Sequence, residues 1–373
     1  MPACLSADQL AADLSIRDLT DPAAGPHAIQ LVLSRAVESL ADRWGCEVRW
    51  WRGDRIVTVL DNYDNLGYRA DDITRESRYS RYVDTERMLR SHSSALIPPA
   101  LRTLAADPAD DVLLACPAMV YRRDSIDRLH TGTPHQLDLW RVTRRPAPLG
   151  TADLDEMVTA LVGGLLPGME HRVQERRHPY TRSGRQVDVA RRQDWIEIAE
   201  CGLAHPEVLT GAGLDGAYTG LALGLGLDRM LMLIKGITDI RILRSAQPSV
   251  AAQLADLTPY RTVSAMPAIR RDLSVAVDGD DLAEDLGDRV REALGPAADW
   301  VETVRILAQT PYEQLPPQAR RRLGARPGQK NVLVKVVLRA LDRTLTDHDA
   351  NLLRDRIYAA VHRGTAHQWA VPR

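Results

Sequence analysis

A chain of 373 residues is long enough for two domains, and 45% apolar with 26% charged residues excludes a disordered or membrane-embedded chain. A formal net charge of -2 supplies no chain-wide basic field, so any nucleic-acid contact must come from a local face. Cys4, Cys46, Cys116 and Cys201 are far apart and form no CxxC pair, which excludes a zinc ribbon or a disulfide framework and fits a reducing cytosol. Residues 1–26 lack the apolar core of a signal peptide and the Arg-rich pattern of a transit peptide, and no run of 18 apolar residues occurs. The expectation is a cytoplasmic protein without a membrane span. Lysine occurs only at Lys235, Lys330 and Lys335, which reads as codon bias, and phenylalanine does not occur at all.

In chain order, 29–44 repeats apolar residues at helical spacing (Ile29, Val32, Leu33, Ala36, Val37, Leu40), and Gly45 supplies a stop. VRWW (48–51) and IVTVL (56–60) read as strands about a turn at Arg52-Gly53-Asp54-Arg55. Residues 83–92 read as helix or loop. Residues 113–123 and 135–142 read as strands joined by a long polar loop, and 144–150 as a loop. Residues 151–166 read as an amphipathic helix, 187–190 with 195–203 as a strand pair, and 220–236 as a Gly-punctuated strand running into a helix. After a connector from Arg244 to about Tyr260 come strand 271–277, helix 282–294, strands 300–307 and 331–340, and helix 347–362. This is the order of a split βαβ, ferredoxin-like domain whose last strand is expected near the C-terminus.

Four segments then carry a specific resemblance. VYRRDSIDRLHTGTPHQLDLW (120–140) resembles motif 2 of phenylalanyl-tRNA synthetases, and LGLGLDRMLML (223–233) resembles class II motif 3. DTERMLRSHSSA (84–95) and WIEIAECGLAHPEVL (195–209) match the family segments between them in order and spacing. The resemblance implies an α+β fold: a class II antiparallel sheet flanked by helices, with a C-terminal ferredoxin-like domain. The implied layout is an extension at 1–26, a catalytic domain at 27–245, a connector at 246–260 and an anticodon-binding domain at 261–373. Arg271-Asp272-Leu273 and the segment 341–347 carry the likeness of that last domain, which implies tRNA as a partner. Arg320, Arg321, Arg322, Arg326 and Lys330 form a basic run there, while Trp300, Tyr312, Tyr358 and Trp369 are too scattered to define a stacking platform.

Amino-acid activation brings a carboxylate onto the α-phosphate of ATP, so guanidinium forks and Mg²⁺ are the groups such a site needs. By resemblance, Arg122 holds the α-phosphate and carboxylate, Arg229 the nucleotide, His130 the phosphates, and Asp124 the adenine. Glu197 and Asp228 are the Mg²⁺ candidates. Gln136 and Asp138 alternate on one strand and so face the same way, a pair of acceptors for the substrate ammonium. His92 and Ser94 match family positions around the substrate backbone, and Ala222 is retained on the pocket side of motif 3.

The substrate pocket departs from the family. An expected Phe-Pro-Phe triplet reads His178-Pro179-Tyr180, and an expected Gly-Cys-Gly or Gly-Ala-Gly reads Glu200-Cys201-Gly202. A pocket with polar groups rejects substrates that leave them unpaired. The expected substrate is therefore phenylalanine or a polar amino acid like it, hydroxylated or nitrogen-containing. Tyr63, Leu221 and Leu223 also stand where the family commonly has Phe, so the triplet is equally read as one case of chain-wide Phe avoidance. The alternatives to a tRNA ligase are an amino-acid-adenylating enzyme of a biosynthetic pathway and a non-catalytic tRNA-binding paralogue. Monomer and homodimer both fit, and a second subunit is not expected.

Overall fold

Seven strands form the principal sheet, and their order decides which side chains meet. The computed structural model describes residues 3–77, 79–123, 125–191, 194–262, 266–341 and 343–367. Its strands are β1 Glu47–Trp50, β2 Ile56–Thr58, β3 Arg81–Tyr82, β4 Arg87–Leu89, β5 Asp111–Met119, β6 His135–Thr143, β7 His171–Glu175, β8 Thr181–Arg191, β9 Asp194–Ala204 and β10 Thr219–Gly226, then β11 Ile269–Asp278, β12 Val301–Pro311 and β13 Gln329–Leu338. The chain divides into two units, residues 1–122, 133–237 and 253–260 in the first and residues 123–132, 238–252 and 261–373 in the second.

In the first unit the sheet order is β1-β5-β6-β10-β9-β8-β7, antiparallel except for the parallel β1–β5 edge. The helix Ala28–Trp44 buries Ile29, Val32, Leu33, Val37 and Leu40, each contributing roughly 1.5–3 kcal/mol. Gly45 ends it in the left-handed region at φ 61°, where glycine is favoured, and the chain turns directly into β1. This helix, Thr151–Leu165 and Leu227–Lys235 form a layer on one face of the sheet. Ile97–Ala106 and its apolar residues Ile97, Leu101 and Leu104 pack on the other face, with Leu114, Cys116 and Trp140.

Some elements differ from the sequence reading. The runs at 48–51 and 56–60 are not partners: β1 joins the principal sheet, while β2 pairs with β4 in a small sheet ordered β2-β4-β3. Residues 59–62 are helical, and 87–89, within the segment read as helix or loop, form a strand. β7 gave no signal because it is an edge strand with four of five residues exposed. The N-terminal segment is ordered into the first unit. Asp13 is buried against Arg81, and Asp18 accepts from Met119 N and Thr20.

Among the described residues the second unit has a three-stranded antiparallel sheet, β11-β13-β12, with helices Ala283–Leu294 and Asp347–Val361. Val332, Val334, Val336 and Leu338 alternate inward from β13 to meet Leu286, Val290, Ile357 and Tyr358. Ile126 belongs to this core, and its carbonyl accepts from Val304 N at 3.0 Å. Glu302, 5% exposed, holds both Arg128 and Arg339. The helix Pro317–Leu323, unseen in the sequence pattern, buries only Leu323. Trp369 and the expected last strand near the C-terminus lie outside the described residues, as does Asp342.

Candidate active site

The site's floor follows from the alternation in β10. Leu221, Leu223 and Leu225 point one way, and Gly220, Ala222, Gly224 and Gly226 the other. Register then lines up Cys116, Asp138, Gly224, Glu200 and Gln186 across five strands. The neighbouring row is Leu114, Trp140, Ala222 and Gly202. Opposed residues in a sheet share a face, so Asp138 and Glu200 flank the bare backbone of Gly224 on one surface. A β-bulge opposes Val187 to Ala199 but Asp188 to Glu197. The extra residue, Ile198, shifts the alternation and brings Glu197 onto the same face as Glu200.

Asp138 is 2% exposed. Burial pushes its carboxyl up to about 6, against hydrogen bonds from Ser93, Ser94 and Trp140. Gln136 Oε1 accepts from Ser93 N at 3.0 Å, and Asn62 bonds Ser91 through both its amide groups. These bonds fix the 91–96 turn that carries His92 and Ser94. Among the described residues the buried His92 ring nitrogens have no well-aligned hydrogen-bond partner. Burial, then the Arg122 charge, pushes this imidazole down to about 3, so it is neutral at pH 7.

An aromatic wall stands over the floor. Tyr180 stacks on Trp140 at 6.1 Å and on His178 at 5.5 Å, and Tyr68 lies 6.3 Å from Tyr180 and 5.7 Å from His92. His178 Nε2 is 2.9 Å from Glu200 Oε2, and Arg176 Nε donates to Glu200 Oε1 at 3.1 Å. The His178 approach lacks the alignment of a full hydrogen bond, although the contact still acts on the Glu200 carboxyl. Burial works to raise the Glu200 carboxyl, but His178, Arg176 and Arg122 outweigh it and hold it below the usual range.

Arg122 Nε donates to Ser91 O at 3.0 Å, which orients the guanidinium beside His92. Arg229, in the first turn of Leu227–Lys235, donates to Glu197 O at 3.2 Å and lies 3.8 Å from Glu197 Oε1. Burial, then the neighbouring Glu200 charge, raises the Glu197 carboxyl. A half-exposed carboxylate crowded by another fits a divalent cation that takes its remaining ligands from phosphate and water. Among the described residues no group of three or more His, Cys, Asp or Glu side chains is placed to hold a metal.

Two expected site residues are elsewhere. Asp228 is 4% exposed and accepts from both the backbone N and the Nδ1 of His135, whose Nε2 accepts in turn from Leu19 N at 3.2 Å. Through His135 it ties three segments together. Cys201 lies opposite Leu223, on the face away from Glu200, and burial pushes its thiol up to about 12. Strand alternation sends every second residue of β9 to that face. His130 lies in the second unit, where Asp127 Oδ2 meets its Nδ1 at 2.7 Å, and Asp124 lies outside the described residues. The structure brings together Arg122, His92, Ser94, Gln136, Asp138, His178, Tyr180, Glu200 and Ala222, and adds Tyr68, Ser93, Trp140 and Arg176. Tyr68 gave no periodic signal. Trp140, by contrast, shares the Gln136–Asp138 alternation and was within reach of it.

Residues 12–254 match the model of the tRNA synthetases class II core domain (F). The chain is 27% identical over 314 residues to the chloroplastic/mitochondrial phenylalanine–tRNA ligase of Arabidopsis thaliana, covering 81% of this chain and 68% of that protein. It is 32% identical over 227 residues to the phenylalanine–tRNA ligase alpha subunit of Prochlorococcus marinus (strain MIT 9313), covering 60% and 66%. It is 24% identical over 362 residues to a probable mitochondrial phenylalanine–tRNA ligase of Drosophila melanogaster, covering 82% and 75%.

Proposed function

The chain belongs to the family of class II tRNA synthetase core domains, and on that footing we propose that it charges tRNA with an aromatic amino acid, phenylalanine or a polar relative. The substrate carboxylate attacks the α-phosphate of ATP, expelling pyrophosphate and leaving an aminoacyl-adenylate. A ribose hydroxyl at the tRNA 3′ end then attacks the acyl carbon and releases AMP. The observation that carries this reading is the 91–94 turn, which anchors Arg122 through Ser91 O and the buried carboxylate of Asp138 through Ser93, beside the bare backbone of Gly224.

Asp138 accepts from the substrate ammonium, with Gln136, Ser94 and His92 around it. Arg122 bridges carboxylate and α-phosphate, where charge develops as the bond forms. Arg229 binds the nucleotide. Glu197 is the residue that would hold Mg²⁺, which when bound neutralises phosphate charge. The aromatic wall of Trp140, Tyr180 and Tyr68 takes the side chain and keeps water from the acyl group.

For the second unit we propose a ferredoxin-like tRNA-binding domain. Its strands run in the order first, third, second, antiparallel throughout, as in a split βαβ. Arg321, Arg322 and Arg326 are exposed, and Arg320 lies 4.5 Å from the centre of the Tyr312 ring, a pairing of the kind that contacts RNA phosphates and bases. The match to the Arabidopsis protein covers more of the chain than residues 1–254 supply, so that likeness extends into the second unit. Relatives named as alpha subunits leave a second chain open as a partner, and monomer or homodimer remains our proposal. Among the described residues no helix is long and apolar enough to cross a membrane. Relatives include chloroplastic and mitochondrial enzymes, and a cytoplasmic location stays a proposal.

The test is transfer of labelled phenylalanine, tyrosine or their hydroxylated analogues to bulk tRNA by the purified chain with ATP and Mg²⁺. Charging with at least one supports the reading, and no charging with any of them sinks it. Activation without charging would favour an adenylating enzyme of a biosynthetic pathway.

A further inference from the structure

We infer that Glu200 and His178 form a reading head for a hydrogen-bond donor on the substrate's side chain, so that the enzyme prefers a hydroxylated or N–H-bearing aromatic amino acid to phenylalanine. This rests on the proposal that the site activates an amino acid.

The argument begins with position. Asp138, Gly224 and Glu200 are consecutive in one row of the sheet, on one face. Adjacent strands are about 4.8 Å apart, so the two acids are rooted roughly 10 Å from each other with only glycine between them. A substrate held by its ammonium at Asp138 runs over Gly224 toward Glu200. A plain hydrocarbon ring would arrive beside a carboxylate and an imidazole with nothing to offer either.

The second observation is the imperfect pairing of His178 with Glu200. The His178 side chain is 8% exposed, and its Nε2 lies 2.9 Å from Glu200 Oε2 but, among the described residues, has no well-aligned hydrogen bond. A carboxylate offers about four acceptor directions. Arg176 takes one at Oε1, and the side chain retains 29% exposure toward the open site. A hydroxyl bound there donates to Glu200 and accepts from, or donates to, His178 according to the tautomer. The stack of His178, Tyr180 and Trp140 fixes the imidazole plane, so the reader is preorganised. Arg176 balances the Glu200 charge, so a neutral donor fits and a second cation is not required.

A site built to bond a substrate hydroxyl discriminates strongly against the analogue that lacks it, because its own polar groups are then left unpaired. The variant Glu200→Gly removes the acceptor, and the isosteric Glu200→Gln keeps the shape while removing the charge. The experiment is pyrophosphate exchange into ATP by the full chain, driven by phenylalanine and by its β-, ortho-, meta- and para-hydroxy derivatives. The wild type should favour one hydroxylated substrate over phenylalanine by about 100-fold in kcat/KM, within what a hydrogen-bonding site achieves. Glu200→Gly should bring that ratio within about tenfold of unity. Glu200→Gln should fall between. If phenylalanine drives exchange as well as every derivative and Glu200→Gly leaves the ratio unmoved, the inference is overturned and amino-acid activation stands. If no amino acid drives exchange, the activating function is overturned and the inference with it.

Discussion

Asp138 and Glu200 stand on the same face of the principal sheet, one strand to either side of Gly224. Their separation is set by backbone pairing and not by side-chain packing, so it should survive substitutions elsewhere in the pocket. The glycine between them is the most direct handle on the site. A Cβ added there would lie 3.8 Å from Asp138 Oδ2, an ordinary contact. Gly224→Ala should therefore fold normally and raise the amino-acid KM only a few-fold. Gly224→Leu should fold and lose activation by about a hundredfold or more, because the added methyls occupy the substrate's path. Steady-state kinetics with circular dichroism on both variants checks this.

Asp138 carries a pH signature with two opposite signs. Its carboxyl is pushed up to about 6 in the folded chain, against about 3.9 for a free aspartate. The folded state therefore holds more protons between those values, and stability falls as pH rises through that window. Ammonium binding needs the carboxylate, so kcat/KM for the amino acid should rise through pH 6 as stability falls. Asp138→Asn should flatten both profiles and lower kcat/KM by roughly 10–100-fold, the worth of a charged hydrogen bond. Thermal melts and kinetics from pH 4.5 to 8 read the two arms separately.

The two acids once paired as metal candidates should behave as different kinds of residue. Asp228→Ala strips the partner from two buried donors of His135, which should cost about 1–3 kcal/mol of stability. Asp228→Asn should leave the Mg²⁺ concentration needed for half-maximal activity unchanged. Glu197→Gln should raise that concentration with little change in melting temperature, since the side chain is 41% exposed. A raised Mg²⁺ requirement in Asp228→Asn would contradict the assignment.

Arg122→Ala should lower activation by about 10²–10³-fold, the loss typical of removing one transition-state donor. Its Nε anchors to a single backbone carbonyl among the described residues, Ser91 O, so the melting temperature should hardly move. A large loss of stability with unchanged kinetics would assign Arg122 to structure.

The strand-to-helix run at 219–235 was legible because Leu/Gly alternation gives way to helical spacing at Leu227, and the structure changes period there. Gln136 and Asp138 were legible for the same reason, alternation on a buried strand. What the sequence hides is register. Nothing local says that Glu200 lies opposite Gly224, or that the bulge at Ile198 turns Glu197 onto the same face. Cys201 and Asp228 lie next in sequence to Glu200 and Arg229, yet Cys201 stands opposite Leu223 and Asp228 bonds His135. Tyr68 and Arg176 reach the site from loop and hairpin segments with no hydrophobic period, and only the folded chain shows them beside Tyr180 and Glu200.

The measurement closest to the central claim is pyrophosphate exchange into ATP by the purified chain, with and without an aromatic amino acid, beside Arg229→Ala. The account predicts exchange that depends on the amino acid and disappears in the variant. Exchange absent with every aromatic amino acid tested, from a folded chain that still binds tRNA, would contradict it and leave an RNA-binding relative in its place.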